Sequence, residues 1–299
     1  MKSTTCLSFV HALSPLHAGT GQGAGIIDLP IAREKATGLP YLPGSSLKGT
    51  LRASCQNPQD CRLVFGPDME DRLTNDLHAS SAQFSDQRLL LLPVRSLAGT
   101  FAWVTSPYIL RRFARDIADA QLALPEGSIP VIEDEDHCAI ASQTSKIDVD
   151  SSVYLEDLQI SSAAVLPEAY AWVSWIARRV FPSTTDWQTM LIERFCIVHD
   201  DVFNFLIDAA TEITARIKLQ EDAKTVQDGG LWYEEALPTE TILSGIVLAI
   251  PTKKSGITAS KVFEVLQGLT NTTLQFGGKA TVGRGLCRVL LDGKMGKEA

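Results

Sequence analysis

Apolar and polar residues alternate over several short stretches of this chain, which is the pattern of half-buried β-strands. Near the N-terminus, Cys6, Phe9 and Leu13 lie among polar residues and predict a strand over 4–13. Further strands are predicted at 82–92, 99–104, 197–199, 213–219, 241–250, 273–276 and 286–291.

Other stretches show the 3.6-residue period of amphipathic helices. A helix capped by Ser45 or Ser46 would carry Leu47, Leu51 and Cys55 on one face. Further helices are predicted at 107–117, 168–181, 186–195, 201–210 and 259–269. Residues 120–166 show neither period and are predicted to be irregular. This order of elements predicts an α+β fold with an antiparallel sheet.

Glycines and basic residues come together in two segments at opposite ends of the chain, 17–52 and 274–289. In the first, Lys48 and Arg52 are four residues apart and share a helix face just after PGSS at 43–46. Backbone N–H groups at such a helix start favour an anion. We therefore predict one composite surface for nucleic acid, although surface charges and a tight hairpin would also explain these residues.

Two nucleotide-binding motifs are excluded. The glycines in GTGQGAG at 19–25 nearly fit a dinucleotide fingerprint, but that motif needs a helix at once, and Pro30 and Pro40 prevent one. The chain also lacks the GxxxxGK[ST] pattern of a P-loop.

The net charge of −8 is unusual for an RNA-binding protein, but its distribution explains it. Residues 116–157 contain eleven acids and one base, whereas residues 251–299 contain eight bases and three acids. One acidic segment therefore sets the overall charge. It is either a solvated surface or a face for a basic neighbouring subunit.

The six cysteines are scattered, with no CxxC pair, so neither a zinc site nor a redox motif is predicted. We expect reduced thiols in a cytoplasmic protein. No apolar run reaches the length of a membrane helix, and we do not expect the N-terminus to be a signal peptide.

Four ordered blocks carry a resemblance to a known family: LPGSSLKGTLR at 42–52, LLLLPVRSLAGTFAWVTSPYILRRF at 89–113, LWYEEALP at 231–238 and GGKATVGRG at 277–285. With these blocks the chain resembles the backbone RAMP subunit of type III-B CRISPR (Cmr) effector complexes over nearly its whole length. It departs from the family at Lys279–Ala280, where a polar residue and a glutamate are more common.

The resemblance implies a ferredoxin-like core, similar to an RNA-recognition motif, with a helical insertion and a protruding β-hairpin thumb. It implies a single RAMP domain over 1–299. We expect the acidic insertion at about 116–166, the helical insertion at about 167–212 and the thumb at about 213–245.

The resemblance also implies that Asp28 cleaves target RNA. From the residues alone, a turn or capping aspartate is the better explanation of Asp28. A carboxylate there could bind a divalent metal, with Mg²⁺ or Mn²⁺ expected, or act instead as a general base on a ribose 2′-OH. His17 is a candidate acid or phosphate donor, although a lone histidine is more often structural. Tyr233 and Glu234 are candidates to assist, with Glu235 as the alternative acid.

Guide RNA would be bound by residues of both glycine-rich segments: Gly44, Ser45, Ser46, Lys48, Arg52, Gly277, Gly278, Lys279, Gly283 and Arg284. The expected partners are the guide RNA, complementary target RNA, further copies of the chain and the other Cmr subunits, namely the large polymerase-like, small helical and capping RAMP subunits. No membrane is expected as a partner. The alternatives are a structural RNA-binding filament without nuclease activity and, less favoured, a guide-processing endoribonuclease.

Overall fold

The computed structural model describes residues 4–23, 25–67, 78–220, 225–250 and 256–293. Its strands are β1 (Thr4–Ala12), β2 (Tyr41–Leu42), β3 (Ala82–Phe84), β4 (Gln87–Arg95), β5 (Phe101–Thr105), β6 (His137–Ile140), β7 (Asp148–Val149), β8 (Ser152–Leu155), β9 (Leu158–Ile160), β10 (Ser162–Val165), β11 (Phe195–Val198), β12 (Glu212–Leu219), β13 (Val226–Ala236), β14 (Ile242–Ala249), β15 (Leu274–Gln275) and β16 (Leu286–Asp292). Its helices are α1 (Gly44–Ser54), α2 (Pro58–Phe65), α3 (Pro107–Asp119), α4 (Pro167–Val180), α5 (Thr185–Glu193), α6 (Asp200–Ala210) and α7 (Ala259–Thr270).

Four strands form the centre of the main sheet in the order β16-β1-β14-β4, and each neighbouring pair is antiparallel. Helix α1 lies between β1 and β4 in sequence, and α7 lies between β14 and β16. This βαββαβ connectivity confirms the predicted ferredoxin-like core. Strand β1 is buried from Cys6 to Ala12, because helices cover both faces of the sheet.

Helices α3 and α4 cover one face of the main sheet, and the sequence periodicity predicted the positions of both helices correctly. Phe113 of α3 packs edge-on against Phe9 of β1, with ring centroids 5.9 Å apart. Trp175 of α4 lies 5.7 Å from the same Phe113 ring. Apolar side chains from both faces join one continuous core.

The segment at 120–166 is more regular than the sequence predicted. It contains β6 to β10, of which β6 and β10 join the far edge of the main sheet and β7 to β9 form a small sheet. The strand predicted at 82–92 is two strands, β3 and β4, and α2 was not predicted. The parallel pairs β5–β11 and β6–β10 extend the antiparallel core into a mixed sheet.

The thumb is a separate two-stranded sheet of β12 and β13. It spans 212–236, and is shorter than the predicted 213–245 because β14 belongs to the main sheet. The predicted arm also includes residues 221–224, which lie outside the described residues.

One cysteine prediction is wrong. Cys55 and Cys61 form a disulfide, because the turn between α1 and α2 brings their Cα atoms to 5.8 Å. The other four cysteines are buried free thiols, as expected. No helix among the described residues is long and apolar enough to cross a membrane.

Candidate nucleic-acid interface

The start of α1 is held by a close backbone approach. Gly44 is buried, and a Cβ atom there would lie 2.5 Å from the carbonyl oxygen of Phe84. Its N–H donates to Oδ1 of Asp86 at 2.8 Å. Helix α1 therefore begins at Gly44 with Asp86 as its acceptor, and the predicted cap by Ser45 or Ser46 is wrong. Both serines lie in the first turn.

Two basic residues share one face of α1. Partial burial, followed by the positive charge of Arg52, lowers the pKa of Lys48 below its ordinary value. The positive charges of Lys48 and Arg52 repel each other, so an anion that binds between them is stabilised. Their placement agrees with the predicted role in binding phosphate, which stays a prediction.

The C-terminal glycine segment forms a tight turn between β15 and β16. Gly277 has φ of 71°, and a Cβ there would lie 2.2 Å from the carbonyl oxygen of His17. The next residue, Gly278, donates its N–H to that same oxygen at 3.0 Å. The two glycine-rich segments therefore touch each other, as the sequence predicted.

Where the segments meet, they line a cavity of about 600 Å³, which we call the glycine groove. The predicted site residues on its wall are His17, Ser46, Gly277, Gly278 and Lys279. The rest of the lining is mostly small, so backbone amides are accessible to a ligand. A groove of this composition suits a phosphate backbone.

Six of the ten predicted RNA-binding residues do not line the glycine groove: Gly44, Ser45, Lys48, Arg52, Gly283 and Arg284. Arg284 is only 6% exposed, and its Nη2 donates to Oγ1 of Thr214 in the thumb at 3.0 Å. Gly283 ends a short 3-10 turn with φ of 79°. Arg284 therefore connects the C-terminal turn to the thumb in this conformation.

His17 is buried beneath the groove at 5% exposure. Its Nδ1 lies 2.6 Å from the carbonyl oxygen of Glu235. Because a carbonyl oxygen only accepts, Nδ1 carries the proton, and a neutral ring leaves Nε2 as an acceptor. His17 thus joins the loop to the thumb, and its predicted role as an acid would require the doubly protonated ring.

Asp28 is exposed and is fixed to the thumb strand β13. Its Oδ2 accepts a hydrogen bond from the backbone N–H of Tyr233 at 2.7 Å. Leu29 then pairs with β13 through Leu29 N to Tyr233 O at 3.1 Å and Glu235 N to Leu29 O at 3.0 Å. Two segments about 200 residues apart in sequence therefore present one oriented carboxylate.

Glu234 is the centre of a buried ion cluster. Its carboxylate accepts from Nε1 of Trp232 at 2.8 Å and pairs with Nζ of Lys279 at 2.8 Å and Nε of Arg216 at 3.3 Å. Burial alone would raise the pKa of Glu234, but the bonds from Lys279 and Trp232 outweigh it and lower the pKa to about 2. Because the Glu234 carboxylate stays ionised and both of its oxygens accept from donors, it is better suited to hold Lys279 in place than to transfer a proton.

Glu235 has a different set of partners. Its Oε2 accepts from the N–H of Ile31 at 3.0 Å, and its Oε1 pairs with Arg33 at 2.6 Å. These bonds fasten the loop that follows Asp28. Of the two adjacent acids, Glu234 is therefore the one directed towards Lys279. The sequence alone could not separate them.

A second cavity of about 450 Å³, the Asp28 cavity, lies beside the glycine groove. Its wall includes Asp28, Trp232 and Lys279. Leu29 and Lys279 line both cavities and form a shared wall between them. Tyr233 is 38% exposed, and its described contact with Asp28 is through the backbone.

Metal-ligating side chains also gather away from this site. Among the described residues, two surface groups have ligand atoms close together: Asp134, Asp136 and His137, all exposed, and Glu135, His199 and Asp201, of which His199 is half-buried. Neither group includes Asp28.

The sequence of residues 9–288 matches the RAMP superfamily. The chain belongs to the RAMP superfamily. This RAMP protein is also 35% identical over 290 residues to the CRISPR system Cmr endoribonuclease Cmr4 of Pyrococcus furiosus, with 94% of each chain covered. A second relative, the CMR subunit Cmr4 of Saccharolobus solfataricus, is 23% identical and covers 93% of each chain.

Solved structures agree with this assignment. This RAMP protein matches the crystal structure of oligomeric Cmr4 from Pyrococcus furiosus with a TM-score of 0.75 and 28% identity, over 98% of this chain and 99% of that one. A chain in a cryo-EM structure of a type III-B Cmr-beta complex bound to cognate target RNA shares the fold, with a TM-score of 0.73, 22% identity and 96% of each chain covered.

Proposed function

We propose that this RAMP protein is a backbone subunit of a type III-B CRISPR ribonucleoprotein. Copies of it would polymerise along the guide RNA and cleave complementary target RNA at regular intervals, with Asp28 at each cut. The observation that carries the proposal is the shared wall of Leu29 and Lys279, which sets a groove suited to phosphates beside an exposed, oriented carboxylate. The relative named Cmr endoribonuclease and the oligomeric Cmr4 structure support the same function.

Specificity needs no base-reading residues in this proposal. Pairing with the guide selects the target, so the protein needs only backbone and shape contacts to an A-form duplex. The partners are therefore guide RNA, target RNA, further copies of the chain and the other Cmr subunits.

Asp28 has the geometry of a reactive carboxylate. The N–H of Tyr233 holds Oδ2, and Oδ1 has no hydrogen-bond partner among the described residues. That oxygen can take the proton of a ribose 2′-OH. The 2′-oxygen then bonds to phosphorus, the bond to the 5′-oxygen breaks and that oxygen takes a proton from solvent, so the products are a 2′,3′-cyclic phosphate and a 5′-OH.

In the alternative form of the proposal, Oδ1 of Asp28 binds a divalent cation, Mg²⁺ or Mn²⁺, instead of taking the proton. Asp28 supplies the only carboxylate among the described residues lining its cavity. Glu234 and Glu235 have donors on their carboxylates and are not available to an ion. This donor set fits an ion that takes one protein carboxylate and completes its shell with RNA oxygens and water. When bound, the ion would offset charge on the phosphate.

The test is cleavage of a labelled complementary RNA by the assembled complex, with wild type, Asp28→Asn and the control Asp157→Asn, each in Mg²⁺ and in EDTA. Asparagine keeps an oxygen for the Tyr233 N–H but cannot take a proton. Asp157 has a fully exposed side chain on a different part of the surface.

Evenly spaced cuts are expected in wild type and in Asp157→Asn, and a loss of about 100-fold or more is expected in Asp28→Asn with guide binding unchanged. Cuts that persist in EDTA would show that cleavage needs no divalent metal and would leave Asp28 as the general base. Intact target in every lane, with the guide still bound, would leave the alternative of a structural filament protein.

A further inference from the structure

Lys279 occupies a position whose backbone favours glycine. Its φ of 66° and ψ of 30° place it in the left-handed region, which side-chain-bearing residues rarely adopt. Residues in this region are retained where the surroundings fix them, often at ligand-binding sites. Gly277 and Gly278 come directly before it, so the turn has lysine where a third glycine would be less strained.

The ammonium of Lys279 is held at the root of the thumb. Its Nζ pairs with Glu234 at 2.8 Å, next in sequence to Tyr233, whose N–H holds Asp28. The Lys279 side chain is 31% exposed, so it is anchored but still accessible. It lines the same cavity as Asp28.

The charges around Glu234 do not cancel. Two cations, Arg216 and Lys279, pair with this single carboxylate. One positive charge therefore remains beside the Asp28 cavity. A fixed cation next to a reactive carboxylate suits a phosphate that gains negative charge during reaction.

We propose that Lys279 contacts the target phosphate that faces Asp28 and stabilises the charge that develops on it during cleavage. This inference rests on the proposed function and assigns Lys279 to cleavage, whereas the sequence suggested guide binding. In the step, the 2′-oxygen bonds to phosphorus as the bond to the 5′-oxygen breaks. The 2′-OH proton passes to Asp28, the 5′-oxygen takes a proton from solvent, and Lys279 stays protonated. Glu234 is the positioning residue for this lysine.

The first arm measures cleavage. Complexes containing Lys279→Met, Lys279→Arg or the control Lys261→Met are prepared with equal guide content, and the single-turnover rate is measured at saturating target. Lys261 lies on α7, paired with Glu264. Lys279→Met should slow cleavage by about 100-fold, the usual cost of losing one charge-stabilising group, and Lys279→Arg should restore most of the rate. The control should cut at the wild-type rate.

The second arm measures contact without cleavage. In an Asp28→Asn background, the affinity for target RNA is measured against salt concentration. Adding Lys279→Met should reduce the slope of log affinity on log salt by about 0.7 to 0.9 for each copy that loses a phosphate contact. A structural role for Lys279 would leave this slope unchanged.

The outcomes separate this inference from the proposed function. If wild type and Lys279→Met cut equally fast with equal slopes, the Lys279 assignment is wrong and the nuclease function stands. If Lys279→Met loses guide RNA, the lysine is a guide contact and the assignment is also wrong. If wild type does not cut but the slope still falls with Lys279→Met, the phosphate contact stands, while the nuclease function and the charge-stabilising role of Lys279 both fail.

Discussion

Replacing Glu234 by glutamine should destabilise the folded subunit in a pH-dependent way. The substitution keeps the size of the side chain and an acceptor for Trp232, but it removes the charge that faces Lys279 and Arg216. Two cations would then lie together without their buried partner. Breaking a buried ion pair on one side typically costs about 3 to 5 kcal/mol.

The pKa of Glu234 gives an independent magnitude. Folding lowers it from 4.5 to about 2. At about 1.36 kcal/mol per pKa unit, the charged form contributes roughly 3 kcal/mol to the free energy of unfolding. Because the folded pKa is the lower one, this contribution is complete above pH 4.5 and is lost as the pH falls towards 2. About 1.4 kcal/mol of it is lost by pH 3.5.

The assay is urea denaturation of the purified wild-type subunit and Glu234→Gln at several pH values between 7 and 3.5. The control is Glu264→Gln, which removes an exposed carboxylate paired with Lys261 on α7. The gap between wild type and Glu234→Gln should be roughly 3 kcal/mol at pH 7 and should narrow below pH 4.5, while the control stays close to wild type. A gap of the same size at pH 7 and pH 3.5 would refute the ion-cluster explanation.

Three further predictions concern the groove and its supports. Gly277→Ala places a Cβ 2.2 Å from the carbonyl oxygen of His17 at a residue with positive φ. It should therefore lower the free energy of unfolding by at least about 1 to 2 kcal/mol and weaken guide binding. An unchanged melting temperature would contradict this prediction. Lys48→Gln should reduce the salt dependence of guide binding by about 0.7 to 0.9 per subunit in a filter-binding titration, and an unchanged slope would remove Lys48 from the interface. Cys55→Ser should cost up to about 2 kcal/mol in oxidising buffer through loss of the bond to Cys61, with no difference in excess dithiothreitol.

Sequence patterns predicted the fold wherever an element buries one clear face. Helix α3 follows this rule, with Ser106 accepting from the N–H of Ile109 and Phe113 packed on the sheet. The segment at 120–166 does not, because its strands are only two to four residues long and the exposed acids around them lie mostly in the connecting loops. Such short strands are fixed by neighbouring strands, which local periodicity does not report.

The sequence predicted which residues belong to the candidate site better than it predicted the contacts between them. The glycine pattern and the resemblance brought Asp28, His17 and the C-terminal turn together. Which acid faces Lys279 depends on the register of β13 against the loop at 28–31, and that pairing joins residues about 200 positions apart. Sequence spacing also gave no sign that Arg284 is buried against the thumb.

The pairing of Leu29 with Glu234 makes the thumb and the Asp28 loop one mechanical unit. The hairpin and the Asp28 carboxylate are therefore held in one fixed relation to each other. Under the proposed function, each copy of the subunit would carry its own hairpin and its own cleaving carboxylate. In a filament that mixes active and inactive copies, one inactive copy would therefore remove one cut and leave the cuts at the neighbouring copies unchanged.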